Sequence, residues 1–491
     1  MNQYSIRKKF DEKLINFLDL EDKKLRNIIN SIKNKKALEV LNNSFFRIDY
    51  LNWKKNSRMN YFVLLIKKEK KYLIYYLKIF FLDLFFCFKY LIIGFYYFFK
   101  KKKLFKINGK FPIVLDYFYG LSDKLKNDFP FELDFFNKSN KLILVNNDKY
   151  FSDNKIQNSS IIFLKWNKKF KGYFFSKFYK NALSYENRKI LLFLIKNWIN
   201  NPLFFSLAIK FHLRSNFFYN IFKNCESKIY IDPSTGISGN SIYCAYAISK
   251  LGGKSFNIQR SFIATEQQSI LNYACKNLIA WSPDIKKKIS RFNNISNFIY
   301  YVPPYFQKKN KIREKKFKLI SIFDSSFGRF APMSVEEYND ALSLVLKKFY
   351  YTKDIKFLIK FKNTEGFSFL NKVNLKLIEN LKKHNRIYFE TNKFVSNYEI
   401  INKSDLCISF NSLTIFSESV FYETKNLSYI NKGIESSIIK KINDIYPSCA
   451  NNLDDFGYLI NKKIFEIEPN FEKLKNLFFI KGEFELKNFL K

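Results

Sequence analysis

Most of the chain alternates short apolar runs with longer stretches in which apolar and polar residues recur at helical spacing. This alternation begins near residue 111 and continues almost to the C-terminus. Each apolar run is too short for a helix and is followed by polar residues that favour a helix start. Buried strands that alternate with helices indicate a parallel sheet covered on both faces. The sequence therefore predicts an α/β fold.

The first block of alternation precedes a linker at 303–318. Its predicted strands are FPIVLDYF (111–118), KLILVNN (141–147), SSIIFLKW (159–166), KIYIDPS (228–234), SFNIQRSF (255–262), NLIAWSP (277–283) and NFIYYVPP (297–304). Its predicted helices cover 188–199, 203–222, 239–251 and a stretch near 266–276. This block is typical of a Rossmann-like unit.

The alternation restarts after Pro303-Pro304 and the charged run KKNKIREKKFK (308–318). The predicted strands of this second block are LISIFDSSF (319–327), IKFLIKFK (355–362), RIYFET (386–391) and DLCISFN (405–411), with helices over 334–349 and 368–383. Two Rossmann-like units joined by a hinge place a cleft between them. We expect an N-terminal helical region at 1–108, α/β domains at 109–305 and 306–465, and a helical tail at 466–491.

The N-terminal region has a different pattern. Residues 5–60 have helical spacing, and then 72–99 is almost wholly apolar, flanked by KKEKK (67–71) and KKKK (100–103). The segment is long enough for a transmembrane helix, but it contains Lys78, Asp83 and Lys89. At 100° per residue Lys71, Lys78, Lys89 and Lys100 form a narrow seam. An in-plane membrane helix is the first choice, and a helix buried in the protein or one that spans remain as alternatives.

Composition limits what charge can indicate. The net charge is +42 over 491 residues, which would ordinarily suggest nucleic acid or an anionic membrane. Only 11 of the 85 basic residues are Arg, and Lys, Asn, Ile, Phe and Tyr are abundant everywhere, as in proteins of AT-rich genomes. We find no nucleic-acid-binding module or cluster of Arg and aromatic residues, so nucleic acid is not an expected partner.

The six cysteines have no CxxC spacing and lie mostly inside apolar runs, which predicts small core residues in a reducing compartment. His212 and His384 are the two histidines of the chain, so we expect no metal site. The start, MNQYSIRKKFDEK, lacks a following apolar segment, and we expect no secretory signal. These features predict a cytoplasmic protein.

The largest group of candidate ligand-binding residues lies where the strand DLCISFN ends and a helix begins. Asn411, Ser412, Leu413 and Thr414 occupy that junction, and Glu418 follows one turn into the helix. Backbone N–H groups and the positive end of the helix dipole suit a diphosphate there. A carboxylate such as Glu418 can bind ribose hydroxyls. An ordinary βαβ unit with a hydroxyl cap is the structural alternative.

The first strand of the second unit ends in further polar residues. Asp324, Ser325 and Arg329 follow it and should face the cleft, where a guanidinium can neutralise phosphate in a bidentate manner. Lys360, at the end of the next strand, supplies a second cation. These residues complete the predicted donor site.

Two places in the first unit could carry acid–base chemistry. Asp232 lies at a strand end before the turn STGISG, where ligands of open α/β sheets bind. Gln259, Arg260 and Glu266 crowd another strand end, and Glu266 is a candidate general base. A plain turn and a favourable helix-start carboxylate are the structural alternatives.

Residues 225–432 resemble glycosyltransferases of the GT-B fold, in particular bacterial surface-polysaccharide and CDP-glycerol glycerophosphotransferase-like proteins. The resemblance lies in NIQRSFI, NLIAWSPDIKKKI, KLISIFDSSF, FLIKFK and VSNYEIINKSDLCISFNSLTIFSESVFYETKNLSYI. It implies that Ser412 and Thr414 contact phosphate and Glu418 the ribose. The family often has Gln-His-Gly where this chain has Gln259-Arg260-Ser261, so an imidazole base is not carried over.

The resemblance implies a metal-independent glycosyltransferase of bacterial envelope polysaccharide biosynthesis. A nucleotide-sugar would be its co-substrate, with no cofactor, and the acceptor would be a glycan or a lipid-linked molecule. Asp232 or Glu266 would be the base if the reaction inverts the anomeric configuration, and Gln259 and Arg260 would contact the acceptor. The protein would lie peripherally on the inner face of the cell membrane. A CDP-linked polyol-phosphate transferase and a non-catalytic membrane assembly protein of the same fold are the alternatives.

Overall fold

The structure is a computed structural model. It describes residues 3–66, 72–99, 109–117, 140–145, 159–163, 173–174, 185–232, 240–259, 273–282, 284–289, 293–301, 318–324, 333–361, 364–391, 395, 397–430, 436–461 and 467–480.

Within residues 3–66 and 72–99 the structure has four helices, as the spacing over 5–60 and 72–99 predicts. They are α1 (Gln3–Asn30), α2 (Lys35–Leu41), α3 (Ser44–Ile66) and α4 (Tyr72–Phe99). Leu14, Leu18 and Leu25 recur on one face of α1 and are buried. Within the described residues one segment, Phe80–Phe99 of α4, is long and apolar enough to cross a membrane by length and composition, and only 17% of it is buried.

The first sheet is wholly parallel over the described residues. Its strands are β1 (Ile113–Tyr117), β2 (Lys141–Val145), β3 (Ser159–Phe163), β4 (Tyr173–Phe174), β5 (Ile229–Asp232), β6 (Lys254–Ile258), β7 (Asn277–Ala280) and β8 (Asn297–Tyr300). Their order is β4-β3-β2-β1-β5-β6-β7-β8. The chain proceeds outward from β1 in one direction and from β5 in the other, so the topological switch point lies between these two strands.

The helices of the first unit are α5 (Tyr185–Lys196), α6 (Pro202–Asn224), α7 (Ser241–Lys250) and the short α8 (Ile285–Lys288), with a 3₁₀ turn at Trp198–Asn200. α6 begins with Pro202 at its first position and with the Asn201 side chain accepting the Phe204 N–H, a favourable helix start. Most residues of α6 are buried, which makes it the central helix of this unit.

The second sheet is also parallel. Its strands are β9 (Lys318–Phe323), β10 (Ile355–Lys360), β11 (Ile387–Glu390), β12 (Leu406–Phe410), β13 (Lys425–Tyr429) and β14 (Cys449–Ala450), in the order β11-β10-β9-β12-β13-β14. The switch point of this sheet lies between β9 and β12. Both units are therefore doubly wound α/β structures, as predicted.

The helices of the second unit connect these strands. They are α9 (Val335–Lys348), α10 (Lys372–Lys383), α11 (Asn397–Lys403), α12 (Leu413–Phe421), α13 (Ser436–Ile445), α14 (Leu453–Asn461) and α15 (Phe471–Phe478), with a 3₁₀ segment at Thr364–Phe369. Ser334 and Glu337 form a capping box at the start of α9, in which each side chain binds the other's backbone N–H.

Two large hydrophobic cores hold the described residues together. The first joins α1–α3 to α5–α7 and the first sheet, so the N-terminal helices pack as part of the first unit. The second fills the C-terminal unit and includes Trp281, which follows β7 of the first sheet. The Phe479 ring stacks on Trp281 at 5.3 Å, and the Ile480 N–H donates to the Trp281 carbonyl. The tail after α15 therefore reaches the carboxyl edge of the first sheet.

Three strands were not predicted from the sequence. β4 and β14 contain only two residues each, and the apolar pattern of β13 is interrupted by the polar residues Asn426 and Ser428. Both side chains are buried and hydrogen bond with Ser409 of β12, so polar positions replace the expected apolar run. The predicted helix near 266–276 is wrong at its end, because 273–276 are not helical, and its remainder lies outside the described residues.

Candidate functional site

The switch point of the second sheet brings together residues that the sequence places far apart. Asp324 directly follows β9, while Asn411 and Ser412 directly follow β12. The register pairs Phe323 with Ser409, so Asp324 comes level with the last residue of β12. Ligands of open parallel sheets bind outside the carboxyl ends at this position. Three of the predicted donor-site residues thus follow adjacent strands, at the carboxyl edge of the second sheet.

Asn411 forms the turn between β12 and α12. Its φ is +50°, in the left-handed region that Asn tolerates better than most residues, and its N–H donates to the Tyr429 carbonyl at 2.9 Å. The Ser412 Oγ accepts the Ile415 N–H at 3.4 Å and caps the helix. The turn directs the start of α12, with its outward N–H groups, to the switch point.

The other predicted donor residues on α12 differ in their surroundings. Leu413 is buried in the second core, which leaves its backbone N–H as the group that could face a ligand. Thr414 is half-buried in the first turn, and its carbonyl accepts from the Ser417 hydroxyl. Glu418 is also half-buried and lies close to Cys407 of β12, whose thiol pKa is raised chiefly by burial and further by this carboxylate. The ribose-binding role of Glu418 stays a prediction.

Asp324 and Lys360 flank the end of β9. The Asp324 N–H donates to the Lys360 carbonyl, and its carboxylate adds to the burial that raises the pKa of Tyr338 on α9. The Lys360 ammonium donates to the Val395 carbonyl, in the segment that precedes α11. In the strand order β10 is separated by β9 from β12, the strand that α12 follows, and the role of Lys360 as a donor cation stays a prediction.

Four predicted site residues lie outside the described residues. They are Ser325, Arg329, Arg260 and Glu266. The predicted phosphate contact of Arg329 and the base role of Glu266 remain as the sequence predicts them.

The switch point of the first sheet contains a pair of buried carboxylates. Leu115 pairs with Ile231, so Asp116 and Asp232 follow in the same register on β1 and β5, and neither has exposed area. The Tyr230 hydroxyl donates to Asp116 at 2.9 Å. Asp116 and Asp232 share a face of the sheet with Tyr230, which lies in the first core together with Cys244 of α7. Burial and the charges of both aspartates raise the pKa of the Cys244 thiol.

Sequence reasoning identified Asp232 but missed Asp116. An aspartate inside the apolar run FPIVLDYF was the available signal, because Asp is depleted in strands and a buried carboxylate is costly without hydrogen bonds. Asp232 is fully buried, and the segment 233–239 that follows it lies outside the described residues. Its role as a base stays a prediction.

Gln259 has a structural role at the end of β6. Its side-chain oxygen accepts the N–H groups of Trp281 and Ser282 at 3.0 and 3.1 Å, and its carbonyl accepts the Trp281 indole N–H at 2.9 Å. These bonds join β6 to the residues after β7 and hold the tryptophan that the C-terminal tail contacts. The predicted acceptor contact of Gln259 is not tested by this arrangement.

A buried polar cluster at the start of α7 was also missed. Asp49 of α3 accepts from Lys210 at 3.3 Å and from the Tyr243 hydroxyl at 3.1 Å. The Arg214 guanidinium lies 5.3 Å from the Tyr243 ring centroid and donates to Asn240 at 3.3 Å. Burial lowers the pKa of Lys210, and Asp49 opposes this. Lys210 and Arg214 of α6 thus connect Asp49 of α3 and Asn240 through contacts that surround Tyr243 of α7.

In the part of the chain that the structure describes, no group of three His, Cys, Asp or Glu side chains could hold a metal ion. All six cysteines are buried and free, as the sequence predicted.

No family model matches the sequence, and no curated protein matches it. Solved structures give distant similarities. A glycosyltransferase from Rickettsia africae is 13% identical, with a TM-score of 0.36 over 78% of this chain and 96% of that chain. MurG of Acinetobacter baumannii is 11% identical, with a TM-score of 0.37 over 75% and 93%. A UDP-glucosyltransferase from Polygonum tinctorium capable of glucosylating indoxyl is 8% identical, with a TM-score of 0.39 over 76% and 94%. Similarity of this degree carries no information on donor, acceptor or catalytic residues.

Proposed function

We propose that this protein is a GT-B-type glycosyltransferase that moves a sugar from a nucleotide-sugar donor to an acceptor. The second unit holds the donor, and the first unit receives the acceptor hydroxyl. The observation that carries this proposal is the second switch point, where Asp324, Asn411 and Ser412 meet at the start of α12.

The chemistry of the donor fits this position. In the transfer the acceptor oxygen forms a bond to the anomeric carbon and loses its proton to a base. The bond between that carbon and the phosphate oxygen breaks, and the nucleoside diphosphate leaves with the bonding electrons on that oxygen. The leaving group gains negative charge, which the N-terminus of α12 can stabilise through backbone N–H groups and the helix dipole. Arg329 is proposed to add a guanidinium, so that no metal is needed.

The acceptor hydroxyl must lose its proton during the transfer. We assign the base to the first unit, with Asp232 or Glu266 as the acceptor of that proton. Asp116 is hydrogen bonded to Tyr230 and lies beside Asp232 in register, so it is placed to bias the charge of its neighbour.

The cellular role is part of the same proposal. We propose that the enzyme acts in bacterial surface polysaccharide biosynthesis, on a glycan or lipid-linked acceptor at the cytoplasmic face of the membrane. Free, buried cysteines are typical of a reducing compartment and support that location.

A thermal-shift panel with UDP-, GDP-, CDP- and CMP-sugars tests the donor site, because a ligand bound by the native state alone raises its apparent stability. We expect one nucleotide class to raise the melting temperature of the wild-type protein, and Asp324→Ala to reduce the rise. Asp340→Ala, on the exposed side of α9, is the matched control and should behave as wild type.

Transfer of the labelled sugar with the selected donor should persist in the presence of a chelator. A shift with CDP-glycerol alone would instead indicate polyol-phosphate transfer. No shift with any nucleotide would reject the transferase proposal and favour a non-catalytic assembly protein of the same fold.

A further inference from the structure

One side of α4 is covered with exposed large apolar residues. They are Phe81, Leu84, Phe85, Phe88, Ile92, Phe95, Tyr96 and Phe99, and each has 40–74% of its surface exposed. At 100° per residue these eight positions cover about 120° of the helix circumference, a single broad stripe. Phe80 and Leu82, each 56% exposed, lie about 40° beyond the two edges of the stripe. This stripe, the α4 apolar face, is a contiguous patch, whereas single exposed apolar residues are normal on any protein.

The opposite side of α4 is packed against the first unit. Cys87 and Tyr90 are buried, and the Cys87 carbonyl accepts from the Ser206 hydroxyl of α6 at 3.1 Å. A Cβ at Gly94 would lie 3.3 Å from Ile195 of α5, so the glycine permits a close approach of the helices. From residue 86 to residue 98 the helix is therefore attached to the first unit on one side, while its other side is exposed.

A second element extends the α4 apolar face. The Trp198 ring lies 5.6 Å from the Phe88 ring, and its indole N–H donates to the Ser206 hydroxyl at 2.7 Å, which fixes the 3₁₀ turn beside α4. The next residue, Ile199, is 79% exposed. Two separate elements thus present apolar side chains on one side of the first unit.

The charges around α4 identify the occupant of this surface. Lysine-rich runs flank the helix in the sequence at 67–71 and 100–103, and Lys89 is exposed at the edge of the apolar face. Asp83, the single acidic residue of 72–99, is placed by helical spacing on the protein side of α4 and is half-buried. A broad apolar stripe bordered by lysines complements an anionic bilayer surface, where apolar side chains enter the acyl boundary and ammonium groups meet phosphates.

We propose that the α4 apolar face docks in the plane of an anionic lipid membrane, with the Trp198–Ile199 turn as an additional contact. A second copy of the chain is a poorer occupant, because antiparallel pairing of two α4 helices brings the lysine-rich flanks of one against those of the other. A spanning orientation would separate α4 from α5 and α6 and lose the contacts of Cys87, Tyr90 and Gly94. The docking is independent of the donor chemistry.

Arg214 of α6 connects α4 to the start of α7. The Arg214 guanidinium donates to the Tyr90 hydroxyl of α4 at 3.4 Å and to Asn240 at the start of α7. The middle of α4 is therefore linked through Arg214 to the start of α7, and this link would also join a membrane-docked α4 to α7.

The depth in the bilayer of a tryptophan introduced on α4 distinguishes an in-plane helix from a spanning one. Phe81→Trp, Phe88→Trp and Phe99→Trp place the probe along one side of α4, with the outer two about 27 Å apart on the helix axis. Full-length protein is bound to vesicles of 70% phosphatidylcholine and 30% phosphatidylglycerol, with quenching bromines at defined acyl depths. After subtraction of wild-type emission, we expect all three probes at one shallow depth. A much deeper probe at position 88 would mean that α4 spans, and would overturn the proposal.

Vesicle flotation measures the contribution of the face itself. We expect wild-type protein to bind these vesicles at least tenfold more strongly than vesicles of phosphatidylcholine alone, and Phe85→Glu/Phe88→Glu to lose at least tenfold of that binding. Tyr351→Glu/Tyr458→Glu changes two exposed aromatic residues elsewhere and is the matched control. Melting temperature and nucleotide shift should be unchanged in both pairs. Membrane docking would be refuted if the wild-type protein bound neither vesicle type. It would also be refuted if the protein were a dimer in solution that Phe85→Glu/Phe88→Glu dissociates.

Discussion

Asn411 provides the sharpest test of the donor site, because its backbone and side-chain roles can be separated. Asn411→Gly keeps the left-handed backbone at φ +50° without strain and removes the amide. Asn385 has the same backbone conformation at φ +53° but precedes β11 at the amino edge of the sheet. Asn385→Gly is therefore a control that makes the same chemical change far from the switch point.

The magnitude follows from the loss of one hydrogen bond to a charged ligand, which contributes about 1.5–3 kcal/mol. The dissociation constant of the donor nucleotide should rise about tenfold to a hundredfold. At a ligand concentration of 100 times the wild-type constant, the stabilisation falls from about 2.7 kcal/mol to about 0.4–1.4 kcal/mol. For a unit of this size 1 kcal/mol corresponds to about 2–4 °C in melting temperature.

The assay compares the nucleotide-induced shift of both glycine variants with that of wild type, after their ligand-free melting temperatures have been measured. We expect Asn385→Gly to retain the full shift and Asn411→Gly to lose at least half of it, while both melt close to wild type without ligand. A full shift in Asn411→Gly would exclude a side-chain contact of Asn411 with the donor.

Three further predictions concern stability. The hydrogen bonds and charges of the arginines around Asp22 lower the pKa of its carboxyl despite burial, so its contribution to the free energy of unfolding is complete above about pH 4 and is lost as the pH falls through the lower pKa of the folded state. Asp22→Asn should therefore melt several degrees below wild type at pH 7. Melting curves recorded at decreasing pH should show this difference shrink. Arg386 donates to four backbone carbonyls around the start of β10. Arg386→Ala should therefore lower the free energy of unfolding by about 2–4 kcal/mol in urea titrations, and Arg386→Lys should recover only part of this loss. An Ala variant as stable as wild type would show that these hydrogen bonds do not stabilise the second unit. A Cβ at Gly253 would lie 2.3 Å from a backbone oxygen, so Gly253→Ala should lower the free energy of unfolding by about 1–3 kcal/mol or more. A Cβ at Gly457 within α14 would make an ordinary contact of 4.0 Å with Leu344, so Gly457→Ala should be neutral or stabilising, and equal melting temperatures for the two variants would refute this prediction.

Much of the fold could be predicted because its strands are nearly continuous apolar runs. β9 and β12 are buried between helices on both faces, so the pattern of their residues alone identifies them. β13 could not be found this way, because Asn426 and Ser428 satisfy their hydrogen bonds with a neighbouring strand. Such pairing depends on a residue about 17–19 positions away and leaves no periodic signal.

The candidate site was predictable in part for the same reason. A helix start after a buried strand is a local feature, and it identified Asn411 and Ser412. The order of the strands is not local, so the meeting of Asp324 with these residues, and of Asp116 with Asp232, required the sheet. Lys360 shows the limit clearly, because its position at a strand end is predictable, whereas its contact with Val395 is not.

By itself the sequence determined that two parallel α/β units follow a helical N-terminal region, because burial on both faces of a sheet imposes apolar strands and helical spacing between them. Only the tertiary structure decided which strand ends are neighbours and which side of α4 remains exposed. Both depend on contacts between residues far apart in the chain, and those contacts form only when the helices and sheets pack.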